Sequence, residues 1–285
     1  MLSRAGPSVV PGAPERPCSS PGAFLYHEAT ATRNHDGESI MSERRILRLT
    51  GPETDHFLQG LISNDVGRLD QGLVYAALLT PQGKFLADFF LAREADGSVL
   101  LDVAEGFAED LTRRLTMYKL RSKVAIGPSG LQLQRGTGPA PEGALADPRH
   151  PALGWRRYSP EPEADDGSDW DAIRVAHCIP EAGIELTPDS YILEAGFDRL
   201  NGVDFRKGCY VGQEVTARMK HKTELRKGLR RVAVAAEVPV GTEITAGGKP
   251  VGVLYTQSGG DGIAYLRFDR AGDEMEAAGQ AVRLI

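Results

Sequence analysis

The chain has 285 residues, 41% of them hydrophobic, with 33 basic and 39 acidic side chains and a formal net charge of −6. That is enough apolar material for one large domain or two to three small ones, and no apolar run reaches the roughly eighteen residues that span a bilayer. The acidic balance supplies no overall pull toward nucleic acid or an anionic membrane, and Cys18, Cys178 and Cys209 are too few and scattered for a disulfide framework or a Cys-x-x-Cys zinc site, so a reducing compartment is expected.

Residues 1–40 are rich in Pro, Ser, Gly and Ala without apolar periodicity, and this leader is expected not to fold. It lacks the apolar core of a secretory signal, and Glu15, Glu28, Asp36 and Glu38 offset its arginines, against the pattern of a transit peptide. Met41 is therefore a candidate for the true start. Ile46, Leu47 and Leu49 read as a strand. Thr50-Gly51-Pro52-Glu53 has capping-box spacing with proline in the first turn, which predicts a helix from there through Leu61. Val74–Leu79 and Phe85–Ala92, joined through Pro81-Gln82-Gly83-Lys84, predict a β-hairpin. Val99–Val103 predicts another strand, and Phe107, Leu111 and Leu115 a helix over 105–117. Between Gly136 and Asp169 prolines and acids accumulate while aliphatics thin out, so a mobile surface excursion is expected rather than core. From Leu229 onward, short apolar strands between Gly/Pro turns, among them Val232–Val234, Pro250–Leu254 and Ile263–Phe268, have the spacing of a small antiparallel barrel. The expected division is the leader 1–40, an α+β region over 41–224 and a carboxy-terminal β-barrel over 225–285.

Lys207-Gly208-Cys209-Tyr210-Val211-Gly212-Gln213-Glu214 crowds a thiol, a cation, a carboxylate, a carboxamide and two glycines into one short run. No amphipathic helix or alternating strand needs that mixture. The thiolate is the reactive form of cysteine, and Lys207, with Arg206 before it, favours that form if the side chains converge. Gly208 and Gly212 point to a tight turn or a close approach to a ligand. The bland reading is a loop whose Cys209 is buried and inert. Asn64 and Asp65 follow the first predicted helix and either cap a turn or contact a ligand. The six histidines show no His-x-x-x-His spacing, and three cysteines fall short of the four thiolates a [4Fe–4S] cluster commonly takes. No stably bound metal is expected.

The run Glu194-Ala195-Gly196-Phe197-Asp198-Arg199-Leu200-Asn201-Gly202-Val203-Asp204-Phe205, leading into Lys207–Glu214 and Arg218, closely resembles the YgfZ family. That family includes mitochondrial iron–sulfur assembly factors and belongs to the folate-binding superfamily of the glycine cleavage system T protein, an aminomethyltransferase. Its signature is the Lys-Gly-Cys-Tyr-x-Gly-Gln-Glu run, present here without a departure. Ile179-Pro180-Glu181-Ala182-Gly183 is similar to the family's Ile-Pro-Glu segment, and Leu58–Val66 to the superfamily's amino-terminal landmark, so the resemblance covers about residues 43 to 285. It implies an α+β fold in which two lobes and a β-barrel surround a central folate-binding cavity.

The resemblance also implies roles. Ser190–Gly196 is similar to the run in which the T protein carries its pterin-binding glutamate, which gives that role to Glu194; a carboxylate can accept two hydrogen bonds from a pterin edge. Asn64, Asp65, Tyr210, Gln213, Glu214 and Arg218 are further candidates for contact with the cofactor, expected to be tetrahydrofolate or a derivative. Asp88 stands where the T protein carries consecutive aspartates, but this chain has Ala87-Asp88. The missing carboxylate counts against aminomethyl transfer and leaves Asp88 a candidate cavity acid, with a solvated strand aspartate as the plain alternative. Lys220, Lys222, Arg226, Lys227, Arg230 and Arg231, opposed by Glu224, read as a solvated face or as an attraction for a folate's glutamate tail or an acidic partner. RNA ranks last, because interleaved aromatics are absent.

The function expected from these features is that of a tetrahydrofolate-binding accessory protein for assembly, maturation or repair of [4Fe–4S] proteins, with Cys209 and Lys207 as its reactive pair. The alternative is a folate-dependent one-carbon transferase using Asp88 and Glu194; a third reading is a folate-binding module in which Cys209 is dispensable. Expected partners are folate and iron–sulfur client or assembly proteins, with the chain a monomer off the membrane. A cytoplasmic location is expected, or the mitochondrial matrix if the source is eukaryotic.

Overall fold

Predominantly apolar runs, Val74–Leu79, Phe85–Ala92 and Val99–Ala104, the last two each broken by one aspartate, make up one side of the first sheet. The computed structural model describes residues 43–162, 166–222 and 224–285, so the expected leader lies outside the described residues. Strands β1 (Arg44–Thr50), β2 (Val74–Leu79), β3 (Phe85–Arg93), β4 (Val99–Ala104) and β5 (Ala125–Pro128) pair antiparallel in the order β2-β3-β4-β1-β5. The strand period of two sends alternate residues to opposite faces. Val74, Ala76, Leu78, Phe89, Leu91, Leu101 and Val103 join one core with α1 (Thr54–Gln59) and α2 (Glu105–Lys119). Tyr75, Ala77, Leu79, Phe90, Ala92 and Leu100 join a second core with Leu133, Trp170, Phe197 and Leu200. Burial on both faces explains why these strands read as near-continuous hydrophobic segments.

Helix α1 starts later than the capping-box spacing predicts. Thr50 pairs with Ala125 at the end of β1 and cannot serve as an N-cap, and the Glu53 carboxylate instead accepts the Lys123 N–H at 2.8 Å. The Gly136–Asp169 stretch also differs from the surface excursion expected. β6 (Gln132–Gly136), β7 (Leu145–Ala146) and β8 (Trp155–Ser159) make a three-stranded sheet in the order β6-β8-β7, and Asp147, Leu153, Arg156 and Ser159 are buried. The charges there pair with one another and with the first sheet, so polarity in the sequence did not mean exposure. Helix α3 (Trp170–His177) follows, capped by Asp169.

After α4 (Gln213–Lys222), strands β9 (Lys227–Val234), β10 (Thr242–Ala246), β11 (Lys249–Ser258), β12 (Asp261–Arg267), β13 (Met275–Ala277) and β14 (Gln280–Leu284) close a barrel in the order β10-β11-β12-β9-β14-β13, sealed by pairing of β10 with β13. Its interior holds Val232, Val234, Ile244, Leu254, Ala264, Leu266 and Val282. The barrel and the mixed α/β lobes before it are the architecture expected. Part of the basic stretch is engaged locally: Lys220 pairs with Asp198, Arg231 with Asp261, and the Arg230 guanidinium lies 4.0 Å from the Phe268 ring centre.

Candidate functional site

The Cys209 loop is held from both ends. On its entry side the Asp204 carboxylate accepts the N–H groups of Arg206 and Lys207 at 2.7 and 3.1 Å and the Arg68 guanidinium at 2.5 Å. Lys207 is buried, and its ammonium donates to the carbonyl oxygens of Gln59, Ile62 and Asn64 at 2.8, 2.5 and 3.0 Å. An ammonium has three donors, so all are used on the turn that leaves α1. Burial pushes the Lys207 amine down to about 8, with Asp65 and Asp204 opposing that shift. This corrects the sequence expectation of a Lys207–Cys209 pair: the cation is aimed at backbone carbonyls, and Cys209 is exposed. Exposure also removes the reading of Cys209 as a buried, inert thiol.

On the exit side Gly212 has φ +84, and a Cβ there would lie 2.7 Å from Thr80 O and 2.9 Å from Leu79 Cβ. The facing turn is equally tight, because a Cβ on Gly83 (φ +76) would lie 2.9 Å from Val215 Cβ. The β2–β3 hairpin turn and the start of α4 thus meet through two glycines. Tyr210 is buried with the Lys207 ammonium 4.9 Å from its ring centre. Gln213 opens α4, while Glu214 and Arg218 form an exposed i,i+4 pair at 2.7 Å. Such a pair contributes little.

Asn64 and Asp65 are spent on the fold. Asn64 Nδ2 donates to Tyr75 O and Asn201 O at 2.8 and 2.7 Å, and Asp65 Oδ1 accepts the Gly67 N–H at 2.9 Å. Ser63 Oγ donates to Gly202 O at 2.6 Å and accepts the Ala77 N–H. The amino-terminal landmark therefore positions the Asn201–Lys207 run, which neither alternative anticipated, while Asp65 caps its own turn as the plainer one expected.

Asp88 occupies a different wall. It is buried on β3, where Oδ2 accepts the Tyr75 hydroxyl at 2.8 Å and Oδ1, among the described residues, has no hydrogen-bond partner. Burial raises its pKa above the ordinary carboxylate value, with Arg44, Tyr75 and Arg149 opposing. It is not a solvated strand aspartate. Beside it runs a buried ion-pair chain that sequence reasoning missed: Arg44 to Asp102 at 2.6 Å, Asp102 to Arg156 at 2.6 Å, Arg156 to Asp147 at 3.4 Å and Asp147 to Arg149 at 2.8 Å. The two arginines flanking Asp102 hold its carboxyl well below the usual range despite its burial. The guanidinium carbons of Arg44, Arg149 and Arg156 lie 5.7, 4.7 and 4.0 Å from the Phe90 ring centre. One signal was available: Asp102 is the lone carboxylate in Val99–Ala104, and a charge inside a buried strand requires a partner.

Glu194 lies where the chain between α3 and α4 meets the barrel. Its Oε2 accepts the Tyr265 hydroxyl at 2.6 Å, Lys227 Nζ stands 3.9 Å away, and its own carbonyl accepts the Leu229 N–H at 2.8 Å. Gly228 permits this approach, because a Cβ there would lie 2.6 Å from Glu194 O. Among the described residues, no hydrogen bond or ion pair joins Asp88, Glu194 and Cys209 to one another. Nor does any group of three or more His, Cys, Asp or Glu side chains there have the geometry to hold a metal ion, and no described helix is long and apolar enough to cross a membrane.

With this geometry in view, comparison with known proteins identifies relatives along most of the chain. Residues 226–285 match the CAF17 carboxy-terminal β-barrel domain. The iron–sulfur cluster assembly factor IBA57 of Mus musculus is 30% identical over 270 residues, covering 79% of this chain and 75% of the mouse protein. The chain belongs to the IBA57 family. The human IBA57 protein is 30% identical over 268 residues, covering 78% of this chain and 75% of its own length. The homologue from Mycosarcoma maydis is 35% identical over 216 residues, and the chain spans about half of that relative, 54% of its length. The crystal structure of glycine cleavage system aminomethyltransferase T from Bartonella henselae shares the fold at a TM-score of 0.66 and 14% identity, over 85% of this chain and 83% of that one.

Proposed function

We propose that this IBA57-family chain is an accessory factor in the assembly or repair of [4Fe–4S] proteins, with Cys209 as the thiol that engages a cluster or client. The observation that carries the reading is an exposed cysteine on a loop whose flanks are fixed, by the Lys207 carbonyl cage on one side and the Gly83–Gly212 contact on the other. Such a thiol is accessible yet positioned. The YgfZ-type Lys207–Glu214 signature and the names of the relatives support the same role. Those relatives are named mitochondrial, which favours the matrix over the cytoplasm in a cell that has mitochondria.

Tetrahydrofolate is the proposed cofactor, and the residues present fit it. Asp88 Oδ1 is a buried oxygen awaiting a hydrogen-bond partner, and buried polar groups ordinarily have one. Tyr265 engages a single oxygen of Glu194, and each carboxylate oxygen carries two lone pairs, so the side chain retains acceptors for a pterin edge. Glu194 would hold the pterin and Asp88 would face the bound folate, which supplies a one-carbon carrier. The transferase alternative is weaker, because Ala87 packs into the opposite core and adds no acid beside Asp88.

The test is Cys209→Ser in cells lacking the native protein. The variant should accumulate normally and fail to restore [4Fe–4S] enzyme activity, because a hydroxyl stays protonated where a thiolate is needed. Full rescue would make the thiol dispensable and withdraw the proposal.

A further inference from the structure

Leu120 breaks two rules of the fold at one position. It follows α2 with φ 46 and ψ −104, and the Ser122 N–H donates to Lys119 O at 2.8 Å. Those values describe the first central residue of a type II′ turn, a place glycine normally fills because a Cβ is strained there. The leucine is also 86% exposed, with Met117 on the preceding helical turn 58% exposed. Neither packing nor backbone geometry accounts for a leucine in this place. The turn is nonetheless firmly seated: Val124 is buried, Tyr118 packs on the core beneath, and a Cβ on Gly51 would lie 2.1 Å from Lys123 O. Strain kept at an exposed apolar side chain on a fixed support marks a functional position.

The surrounding charge indicates what meets it. Lys119, Arg121 and Lys123 flank Leu120 in a chain whose net charge is −6. Among the described residues none of the three has an ion-pair partner, whereas Arg113 and Arg114 on the same helix both pair with Asp110. Tyr118–Ser122 line a shallow open depression at this tip. We propose that the end of α2 is a docking surface for an acidic protein, with Leu120 entering an apolar recess and the three cations meeting carboxylates around it. Met117 and Arg121 are residue types that protein interfaces enrich, and one leucine with one methionine offers too little apolar area to hold a bilayer. Under the assembly reading above, on which this identification rests, the partner is an iron–sulfur client or assembly protein.

The test compares Leu120→Gly and the pair Lys119→Glu with Arg121→Glu in the full chain. Leu120→Gly should leave the melting temperature unchanged or raise it by about 2–4 °C, yet lower rescue of [4Fe–4S] enzyme activity in cells at least tenfold, as should the charge reversal. In parallel, benzoylphenylalanine at position 117 should crosslink in cells to one acidic protein, and the adduct should vanish on charge reversal. Undiminished rescue by both variants overturns the proposal. So does an adduct that survives charge reversal, one with the mass of two copies of this chain, or co-sedimentation with 3:1 phosphatidylcholine–phosphatidylglycerol vesicles that Leu120→Gly abolishes. If the unsubstituted chain itself fails to rescue, the assembly reading falls and the crosslink alone decides the docking surface.

Discussion

Replacing Lys207 by methionine separates the two roles this residue could have beside Cys209. Methionine keeps an unbranched apolar stem and removes the ammonium, leaving the carbonyls of Gln59, Ile62 and Asn64, now held at 2.5–3.0 Å, without their donor. A hydrogen bond to a charged group contributes about 1.5–3 kcal/mol, and an orphaned buried acceptor costs about 1–3 kcal/mol. The three bonds are not additive, and removing the lysine also removes its own burial penalty, visible in the lowered amine value of about 8. A net loss of about 2–4 kcal/mol is expected, or a melting point lower by about 4–16 °C for a domain of this size. Urea denaturation followed by circular dichroism measures the first quantity. Alkylation of Cys209 across pH, in a Cys18→Ser, Cys178→Ser background, measures whether the lysine acts on the thiol. The two alkylation profiles should superimpose. A Lys207→Met protein of unchanged stability whose profile moves to higher pH would refute the carbonyl-cage argument and restore the lysine–thiolate pair.

Asp88→Asn should change how stability depends on pH. The folded-state value of Asp88 is raised, so its contribution is fully present below the ordinary carboxylate range and is lost as pH rises through the folded value. A carboxamide at this position does not titrate, and the variant's stability relative to the parent should grow from pH 4 to pH 7; a constant difference would show that the carboxyl is not destabilised by burial. Gly212→Ala should cost about 2–4 kcal/mol, from a strained positive φ and contacts under 3 Å with the hairpin turn, read as a lower urea midpoint. Glu194→Gln should weaken tetrahydrofolate binding by about 1–3 kcal/mol in calorimetry, with Tyr265→Phe giving a smaller loss; equal affinities would remove Glu194 from the site.

The barrel, the first hairpin and α2 were legible because each is announced by local period, two for the strands and 3.6 for the helix, with glycine or proline at the breaks. The Gly136–Asp169 stretch was not, because its burial depends on partners elsewhere. Asp147 and Arg156 read as surface charge until Asp102, 54 residues before Arg156, completes the chain. The same limit governs the site. Glu194 and Asp88 were singled out through resemblance, but their hydrogen-bond partners Tyr265 and Tyr75 were not, since neither tyrosine carries a local mark of that contact.

Lys207 shows most clearly why sequence proximity is a poor guide to chemistry in an irregular loop. Only Gly208 separates it from Cys209, yet its acceptors are 143–148 residues upstream. A loop side chain goes where its charge is best satisfied, and three carbonyls converging after α1 offer an ammonium a complete set of acceptors. A thiol on an exposed loop competes with water and offers much less. The lysine therefore fixes the backbone that presents Cys209, and what the structure gives that thiol is an exposed place on a firmly held loop.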